Sequence, residues 1–265
     1  MNSSSPSPIL RLEGLTCKLG GKPILRELTL PSLHGGELVA LLGPNGSGKS
    51  TLLRSIAGLA PAHFRTLTLD KQDLRGLAAR SRAETVRYLP QFLPDSIHLT
   101  VTEALLVALN ARGAMAPAAS MARTEAVLDS LGIGSLGPRF LDELSGGQKQ
   151  LVGLAQALAD EPAVLLLDEP LASLDLNFQH HAMLLLKRLA ADRGLLVVIV
   201  VHDLNIALRY ADTALLLHQG RLLAAGEPLS VITPASIARA FQVRARVESC
   251  SLGYANVLVD DLIQI

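Results

Sequence analysis

The chain has 265 residues, of which 49% are hydrophobic and 18% charged, and its formal net charge is zero. A chain of this length can bury one large core or divide into two lobes, and a balanced charge gives no electrostatic reason to expect a nucleic-acid partner. The two cysteines, Cys17 and Cys250, form no CxxC motif. We therefore expect neither a disulfide framework nor a zinc site, and a reducing, cytosolic setting fits.

No targeting signal or membrane span is expected from the apolar pattern. The opening MNSSSPSP lacks a basic stretch followed by an apolar one, so residues 1–8 are predicted to be a flexible tail rather than a signal peptide. The longest apolar runs, VLLLD and LLVVIVV, are far shorter than the roughly 20 residues that a membrane helix needs. If the protein works at a membrane, it is expected to do so as a peripheral partner.

The first half of the chain predicts strands, a glycine-rich loop and then helices. Residues 9–42 alternate short apolar runs with turns and end in the buried strand ELVALL, after which LLRSIAGL predicts a helix. TLTLD and TVRYLP predict two further strands. Residues 99–140 are rich in Ala and Leu, which predicts a helical insert that begins after Gln91 and is broken near Gly113 to Pro117.

The second half alternates helices and strands. A helix after the Gly-Gly pair is followed by the strand AVLLLDEP, a helix near 176–193, the strand LLVVIVVHD, a helix near 204–210 and one strand over TALLLHQGRLLAAG. This alternation predicts an α/β fold with a mostly parallel sheet and helices on its faces. Beyond residue 243 we expect a short strand-rich extension, for which packing of a terminal strand is favoured over a role as a dimer contact or a regulatory element.

The most specific motif is GPNGSGKST, which satisfies G-x-x-x-x-G-K-[ST] between a predicted strand and a predicted helix. Glycines let backbone N–H groups turn toward phosphate oxygens, Lys49 can reach the β- and γ-phosphates, and the Ser50 hydroxyl can bind Mg²⁺. The candidate nucleotide-binding residues of this loop are Gly43, Pro44, Asn45, Gly46, Ser47, Gly48, Lys49, Ser50 and Thr51.

Polar residues follow three other predicted strands. Asp168 and Glu169 end VLLLDEP, which suits one acid for Mg²⁺ and the next as the general base for water. His202 ends LLVVIVVH and could contact the γ-phosphate or orient the water, while the Gln91 amide could reach Mg²⁺ or the water. Taken singly, an acid pair is more often a cap or turn, a strand-end histidine is often structural, and Gln91 could be a surface-loop residue.

LSGGQKQ, at residues 144–150, is a second glycine-containing helix start. A serine hydroxyl and bare N–H groups at a helix N-terminus are typical of an anion site. One chain of this size would then carry two such sites, and these residues alone do not explain why.

The ordered set GPNGSGKST, YLPQ, LSGGQKQ, LLLDEP, SLD and VVHD resembles an ATP-binding cassette ATPase of a membrane transporter, over about residues 9–240. The resemblance implies a P-loop NTPase core (9–91 and 144–243) with an N-terminal antiparallel β-subdomain, a helical subdomain (92–143) and a C-terminal extension (244–265). It also implies these roles: Walker A at 43–51, Q-loop Gln91, signature Ser145, Gly146, Gly147 and Gln148, Walker B Asp168, catalytic Glu169, D-loop Ser173 to Asp175 and switch His202.

In this family two cassettes dimerise head to tail, so that the signature of one caps the ATP held by the other. The sequence is further similar to the ATPases of iron–siderophore, haem and vitamin B12 importers, on the basis of LDLNFQHHAMLLLKRLA, VVHDLNIALRYAD and GRLLAAGEPLSVITPASIARAF. That similarity implies a peripheral location on the cytoplasmic face of the inner membrane, a separate permease that contacts the helical insert, and, indirectly, a substrate-binding protein.

Three departures from the family pattern stand out. Leu19 occupies the position where an aromatic usually stacks on adenine, so weaker stacking is expected. Leu151 and Gln156 replace two arginines common in the signature helix, and residues 60–70 lack a glycine-rich turn. None of these changes removes a catalytic group.

Two other functions are considered beside an importer ATPase. An exporter ATPase or a soluble cassette protein is one, although the soluble types usually carry two cassettes or a long coiled-coil insertion. A nucleotide-binding regulator without turnover is the other, and the presence of both Glu169 and His202 disfavours it.

Overall fold

The structure is a computed structural model that describes residues 7–91, 98–110, 116–172 and 174–263. Most of the predicted tail, the first residues of the predicted insert, part of its break near Gly113 to Pro117 and the D-loop residue Ser173 lie outside the described residues.

The strands are named in chain order. They are β1 Ile9–Glu13, β2 Leu15–Leu19, β3 Lys22–Leu28, β4 Leu33–His34, β5 Leu38–Leu42, β6 Ala62–His63, β7 Thr66–Leu69, β8 Gln72–Asp73, β9 Val86–Leu89, β10 Val164–Leu167, β11 Leu196–Val200, β12 Thr213–His218, β13 Arg221–Gly226, β14 Val243–Ser249 and β15 Ala255–Leu262.

The helices follow the same convention. They are α1 Lys49–Ile56, α2 Ala79–Arg82, α3 Val101–Asn110, α4 Pro117–Ser130, α5 Gly146–Ala159, α6 Leu176–Arg193, α7 Leu204–Tyr210, α8 Pro228–Val231 and α9 Pro234–Phe241. Short 3₁₀ turns lie at Gly134–Leu136 and Leu141–Glu143. No helix in the described ranges is both long and apolar enough to cross a bilayer.

The central sheet has the order β13-β12-β5-β11-β10-β9, and all neighbours are parallel except β12 and β13. Every residue of β5, β10 and β11 is buried, which is the pattern of strands covered on both faces. The predicted α/β class with a mostly parallel sheet is confirmed.

The prediction of one strand over 213–226 is wrong, because β12 and β13 form an antiparallel hairpin. The two residues between them, Gln219 and Gly220, both have positive φ angles of 50° and 74°. Two such residues make the tight turn whose twist matches paired strands. The continuous apolar run on each side of the turn concealed this reversal.

Two antiparallel sheets, with the orders β4-β1-β7-β8 and β3-β2-β6, cover one face of the central sheet together with α1. Successive side chains of β5 point to opposite faces of the sheet, so they pack into two different parts of the core. Val39 and Leu41 pack with α1 and the antiparallel strands, whereas Leu38, Ala40 and Leu42 pack on the side of α3, α5 and α6. An antiparallel N-terminal β region is therefore present, as predicted.

The helical region and the C-terminal extension both join the core on the α5 face of the sheet. Leu105 of α3 and Leu154 of α5 belong to one buried cluster, and the Gln156 amide of α5 donates to the Ala104 carbonyl at 3.3 Å. The extension is a β14–β15 hairpin that buries Val257 in the same cluster. The division of the chain at residues 91, 143 and 243 stays a prediction.

Candidate active site

The phosphate loop joins the carboxyl end of β5 to the first residue of α1. Gly43 has φ 143°, and a Cβ there would lie 2.2 Å from the Leu217 carbonyl oxygen. Gly48 has φ 103°, and a Cβ there would lie 2.7 Å from a Leu25 methyl. These positions require glycine because residues with a side chain rarely adopt such φ angles. Neighbouring strands also occupy the space that a Cβ would need.

Lys49 is the first residue of α1 and is 5% exposed. Its ammonium group donates to the carbonyls of Gly43 at 2.8 Å and Pro44 at 3.1 Å. Burial lowers the pKa of Lys49, and the carboxylates of Glu169 and Asp168 oppose that effect. The N-cap Gly48 offers no side-chain cap, which leaves the first N–H groups of α1 available to an anion.

Asp168 follows β10 directly and is 2% exposed. The Ser50 hydroxyl donates to its Oδ1 at 2.9 Å, and the Tyr88 hydroxyl donates to its Oδ2 at 2.9 Å. The structure thus brings a hydroxyl and a carboxylate together beside the phosphate loop. Oxygen ligands of this kind fit a magnesium ion that takes its remaining ligands from phosphate and water. No group of three His, Cys, Asp or Glu side chains able to hold a metal occurs in the described part of the chain.

Both carboxylate oxygens of Glu169 have a polar partner. The Gln91 side-chain nitrogen donates to Oε2 at 2.6 Å, and His202 Nε2 lies 2.8 Å from Oε1. Glu169 also has a positive φ of 54°, an uncommon conformation for a residue with a side chain. Three residues that follow three different strands therefore form one cluster.

A cavity of about 690 Å³ lies over the phosphate loop. Such a volume is typical of a small-molecule site. Many of the predicted site residues line it: Asn45, Gly46, Gly48, Lys49, Ser50, Thr51, Gln91, Glu169 and His202. The cavity thus joins the helix N-terminus that suits phosphate to the acidic cluster that suits an attacking water.

Other predicted site residues lie apart from this cavity. Leu19 is 40% exposed near the end of β2, whereas the aliphatic residue lining the cavity is Ile24 of β3. Asp175 caps α6, because its Oδ1 accepts from the Phe178 N–H at 3.0 Å. The roles of Leu19 and Asp175 toward nucleotide stay predictions.

The residues Ser145 to Gln148 form the start of α5. The Ser145 hydroxyl oxygen accepts from the Gln148 N–H at 3.3 Å, and the Gln148 side-chain oxygen accepts from the Ser145 N–H at 3.0 Å. This reciprocal pair is a capping box. Ser145 and Gly146 are exposed, and neither they nor Gly147 line the cavity over the phosphate loop.

The ABC transporter family model matches residues 27–172. The chain is 38% identical over 248 residues to the hemin import ATP-binding protein HmuV of Gloeobacter violaceus, which spans 90% of this chain and 89% of that one. It is 35% identical over 239 residues to the cobalamin import ATP-binding protein BtuD of Halobacterium salinarum. This match covers 90% of this chain and 60% of the Halobacterium protein.

The chain belongs to the ABC transporter family. As an ATP-binding cassette it is an ATPase. A solved metal-chelate type ABC transporter in an inward-facing conformation matches with a TM-score of 0.80 and 25% identity, over 96% of this chain and 98% of that chain. A dimeric bacterial ABC transporter cassette matches with a TM-score of 0.74 and 29% identity, over 83% of this chain and 98% of that cassette.

The cassette contains two polar residues at its site that sequence analysis did not select, Tyr88 and Arg54. Tyr88 lies in β9, next to β10, and Arg54 Nε donates to its hydroxyl at 3.3 Å. Burial raises the pKa of the Tyr88 phenol to about 12, so the hydroxyl keeps its proton at neutral pH. The sequence feature that could have indicated Tyr88 is its position three residues before Gln91 in YLPQ.

Proposed function

We propose that this cassette is the ATP-hydrolysing subunit of a membrane importer for an iron–siderophore, haem or cobalamin-type substrate. The observation that carries the enzymatic part is the position of Glu169, held between Gln91 and His202 at the wall of the cavity over the phosphate loop. The import part rests on the curated relatives, which are hemin and cobalamin import ATP-binding proteins at 35–38% identity.

The phosphates of ATP would lie on the N–H groups of residues 43–51 and the ammonium group of Lys49. That ammonium now binds two loop carbonyls, and a phosphate oxygen is a stronger, charged acceptor at the same place. Ser50 and Asp168 would hold Mg²⁺, with the Gln91 side chain as a further oxygen ligand. The ion would neutralise the charge that develops on the phosphates.

Glu169 would accept the proton of the attacking water. In this structure Oε2 accepts from the Gln91 amide and Oε1 lies 2.8 Å from His202 Nε2, and each oxygen retains a further lone pair for the water. The water oxygen then forms the new bond to the γ-phosphorus, the bond to the β-phosphate oxygen breaks, and ADP and phosphate leave. His202 and Gln91 would orient Glu169 and the water.

The assembly would contain two copies of the cassette. Ser145, Gly146, Gly147 and Gln148 would close over the ATP bound by the other copy, and a two-fold axis would form both sites at once. The exposure of this helix start fits such a role, and one solved cassette that resembles this chain is a dimer. The dimer would sit on the cytoplasmic side of the membrane, on a separate permease fed by a substrate-binding protein.

The membrane partner decides between this function and its alternatives. The native chain would be isolated from detergent-solubilised membranes, its co-purified proteins identified, and its ATPase activity measured with and without them. We expect a multi-span permease that stimulates hydrolysis, and uptake of radiolabelled haem, ferric siderophore or cobalamin that stops in a Glu169→Gln strain. Stimulation by soluble partners alone would instead favour a soluble cassette protein, and absence of hydrolysis in every preparation would favour a regulator.

A further inference from the structure

A chain of three hydrogen-bonding side chains leads from the surface to the proposed metal ligand. Arg54 Nε donates to the Tyr88 hydroxyl at 3.3 Å, and that hydroxyl lies 2.9 Å from Asp168 Oδ2. Arg54 lies on the exposed face of α1, Tyr88 is half-buried, and Asp168 is almost fully buried. The opposite oxygen, Oδ1, accepts from Ser50.

The direction of this chain follows from the chemistry of its ends. A guanidinium has donors but no acceptor, and an ionised carboxylate has acceptors but no donor. The phenol between them must therefore accept from Arg54 and donate its single proton to Asp168. Arg54 thus prevents the phenol proton from pointing elsewhere, and the phenol in turn restrains one oxygen of the carboxylate.

We propose that Tyr88, oriented by Arg54, is a positioning residue for the magnesium half of the site, an inference that rests on the proposed role of Asp168 and Ser50 in holding Mg²⁺. By occupying Oδ2, Tyr88 keeps Oδ1 directed toward Ser50. Tyr88 is not among the residues that line the cavity over the phosphate loop, and acts through Asp168.

Loss of the phenol hydroxyl is costly because its acceptor is buried. At 2% exposure Asp168 has little access to a water that could replace the lost donor. Removal of a partner that orients a metal ligand typically weakens metal affinity by about 10- to 100-fold. We expect Tyr88→Phe to lie at the lower end of this range, and Arg54→Gln to have a smaller effect, since it leaves the phenol hydroxyl in place.

The test is Mn²⁺ binding to the full chain in the presence of a non-hydrolysable ATP analogue, measured by electron paramagnetic resonance. Tyr88→Phe is expected to weaken Mn²⁺ binding about tenfold while leaving binding of the analogue in EDTA unchanged. Arg54→Gln should add little when combined with Tyr88→Phe, because both changes interrupt one chain. Tyr210→Phe is the matched control, since it also removes a hydroxyl next to a polar partner, His180 at 2.6 Å, away from the site.

Three outcomes separate the possibilities. Normal Mn²⁺ affinity in Tyr88→Phe, with a large loss in Asp168→Asn, overturns the positioning role of Tyr88 alone. Normal affinity in Asp168→Asn overturns the proposed metal site itself. An equal loss of analogue binding with and without metal in Tyr88→Phe assigns the tyrosine a purely structural role. If Tyr88→Phe does not fold, the exposed Arg54→Gln variant decides, with an unchanged Mn²⁺ affinity counting against the proposal.

Discussion

The two glycine-containing helix starts of this cassette, at α1 and α5, differ in how their N-termini are satisfied. The start of α1 is built into the sheet, has a left-handed glycine as its N-cap and has no side-chain cap. The start of α5 is closed by its own Ser145 and Gln148 and is exposed. The first is thus ready for phosphate within this chain, while the second is satisfied by itself in the absence of a partner.

The two helix starts also differ in the charged residues that surround them. Lys49, Asp168 and Glu169 concentrate charge around α1, and burial lowers the pKa of Lys49. The nearby lysine of α5, Lys149, lies in the first turn after the capping box. The start of α1 thus brings a lysine together with the hydroxyl and carboxylate that suit a metal ion, whereas the start of α5 follows a turn that contains Asp142 and Glu143, and its Ser145 hydroxyl accepts from its own helix.

The largest effect is expected from Glu169→Gln, which tests whether the two helix starts meet across a dimer. Loss of a general base typically costs about 10²- to 10⁴-fold in rate. Because the amide keeps the size of the side chain, ATP binding should persist and hold a dimer that size-exclusion chromatography detects. Hydrolysis at the native rate would contradict the assignment.

Glu161→Gln is the matched control for that experiment. Glu161 also has a positive φ, of 48°, but it pairs with Arg123 at 2.8 Å outside the cavity. Its substitution should leave the rate of ATP hydrolysis unchanged. A loss of activity in Glu169→Gln then cannot be attributed to replacing a glutamate that has a positive φ.

The next largest effect is expected from Lys49→Ala, which breaks the α1 site directly. A hydrogen bond to a charged group contributes about 1.5–3 kcal/mol, so nucleotide affinity should fall roughly 10- to 100-fold. Equilibrium binding of a fluorescent ATP analogue to the isolated chain measures this change. Lys149→Ala, at the α5 start, should leave that binding unaltered, and equal losses in both variants would remove the distinction between the two sites.

The smallest effect on the single chain is expected from Ser145→Ala. Loss of an N-cap hydroxyl costs about 1 kcal/mol of stability. Thr233→Ala removes the corresponding hydroxyl from the capping box of α9 and should cost about the same. Only Ser145→Ala should also weaken ATP-dependent dimerisation in a Glu169→Gln background, measured by sedimentation. If both variants dimerise equally well, Ser145 has no role beyond capping.

Local features of the fold were predictable where the pattern and the turn chemistry agree. Helix α6 occupies 176–193 and α7 occupies 204–210, as the sequence predicted. The hairpin of β12 and β13 was missed because its turn carries Gln219 at a position where glycine or asparagine usually reveals the positive φ.

At the site, the prediction was strongest for motifs whose geometry is local. Residues 43–51 form a strand–loop–helix unit, and glycine spacing alone indicates how its N–H groups can turn inward. Tyr88 was missed because a tyrosine in an apolar strand looks like a packing residue. Only the position of Asp168, directly after the neighbouring strand β10, shows that the Tyr88 hydroxyl has a partner.

The sequence by itself determined the phosphate loop and the helix start at Ser145, because both depend on residues within a few positions of each other. The tertiary structure decided which distant residues meet. The strand order β11-β10-β9 brings together the residues that follow these strands, His202, Glu169 and Gln91. Strand order is set by how the faces of the whole sheet are buried, and parallel strands present their carboxyl ends at one edge, so the cluster at Glu169 exists only once the sheet has assembled.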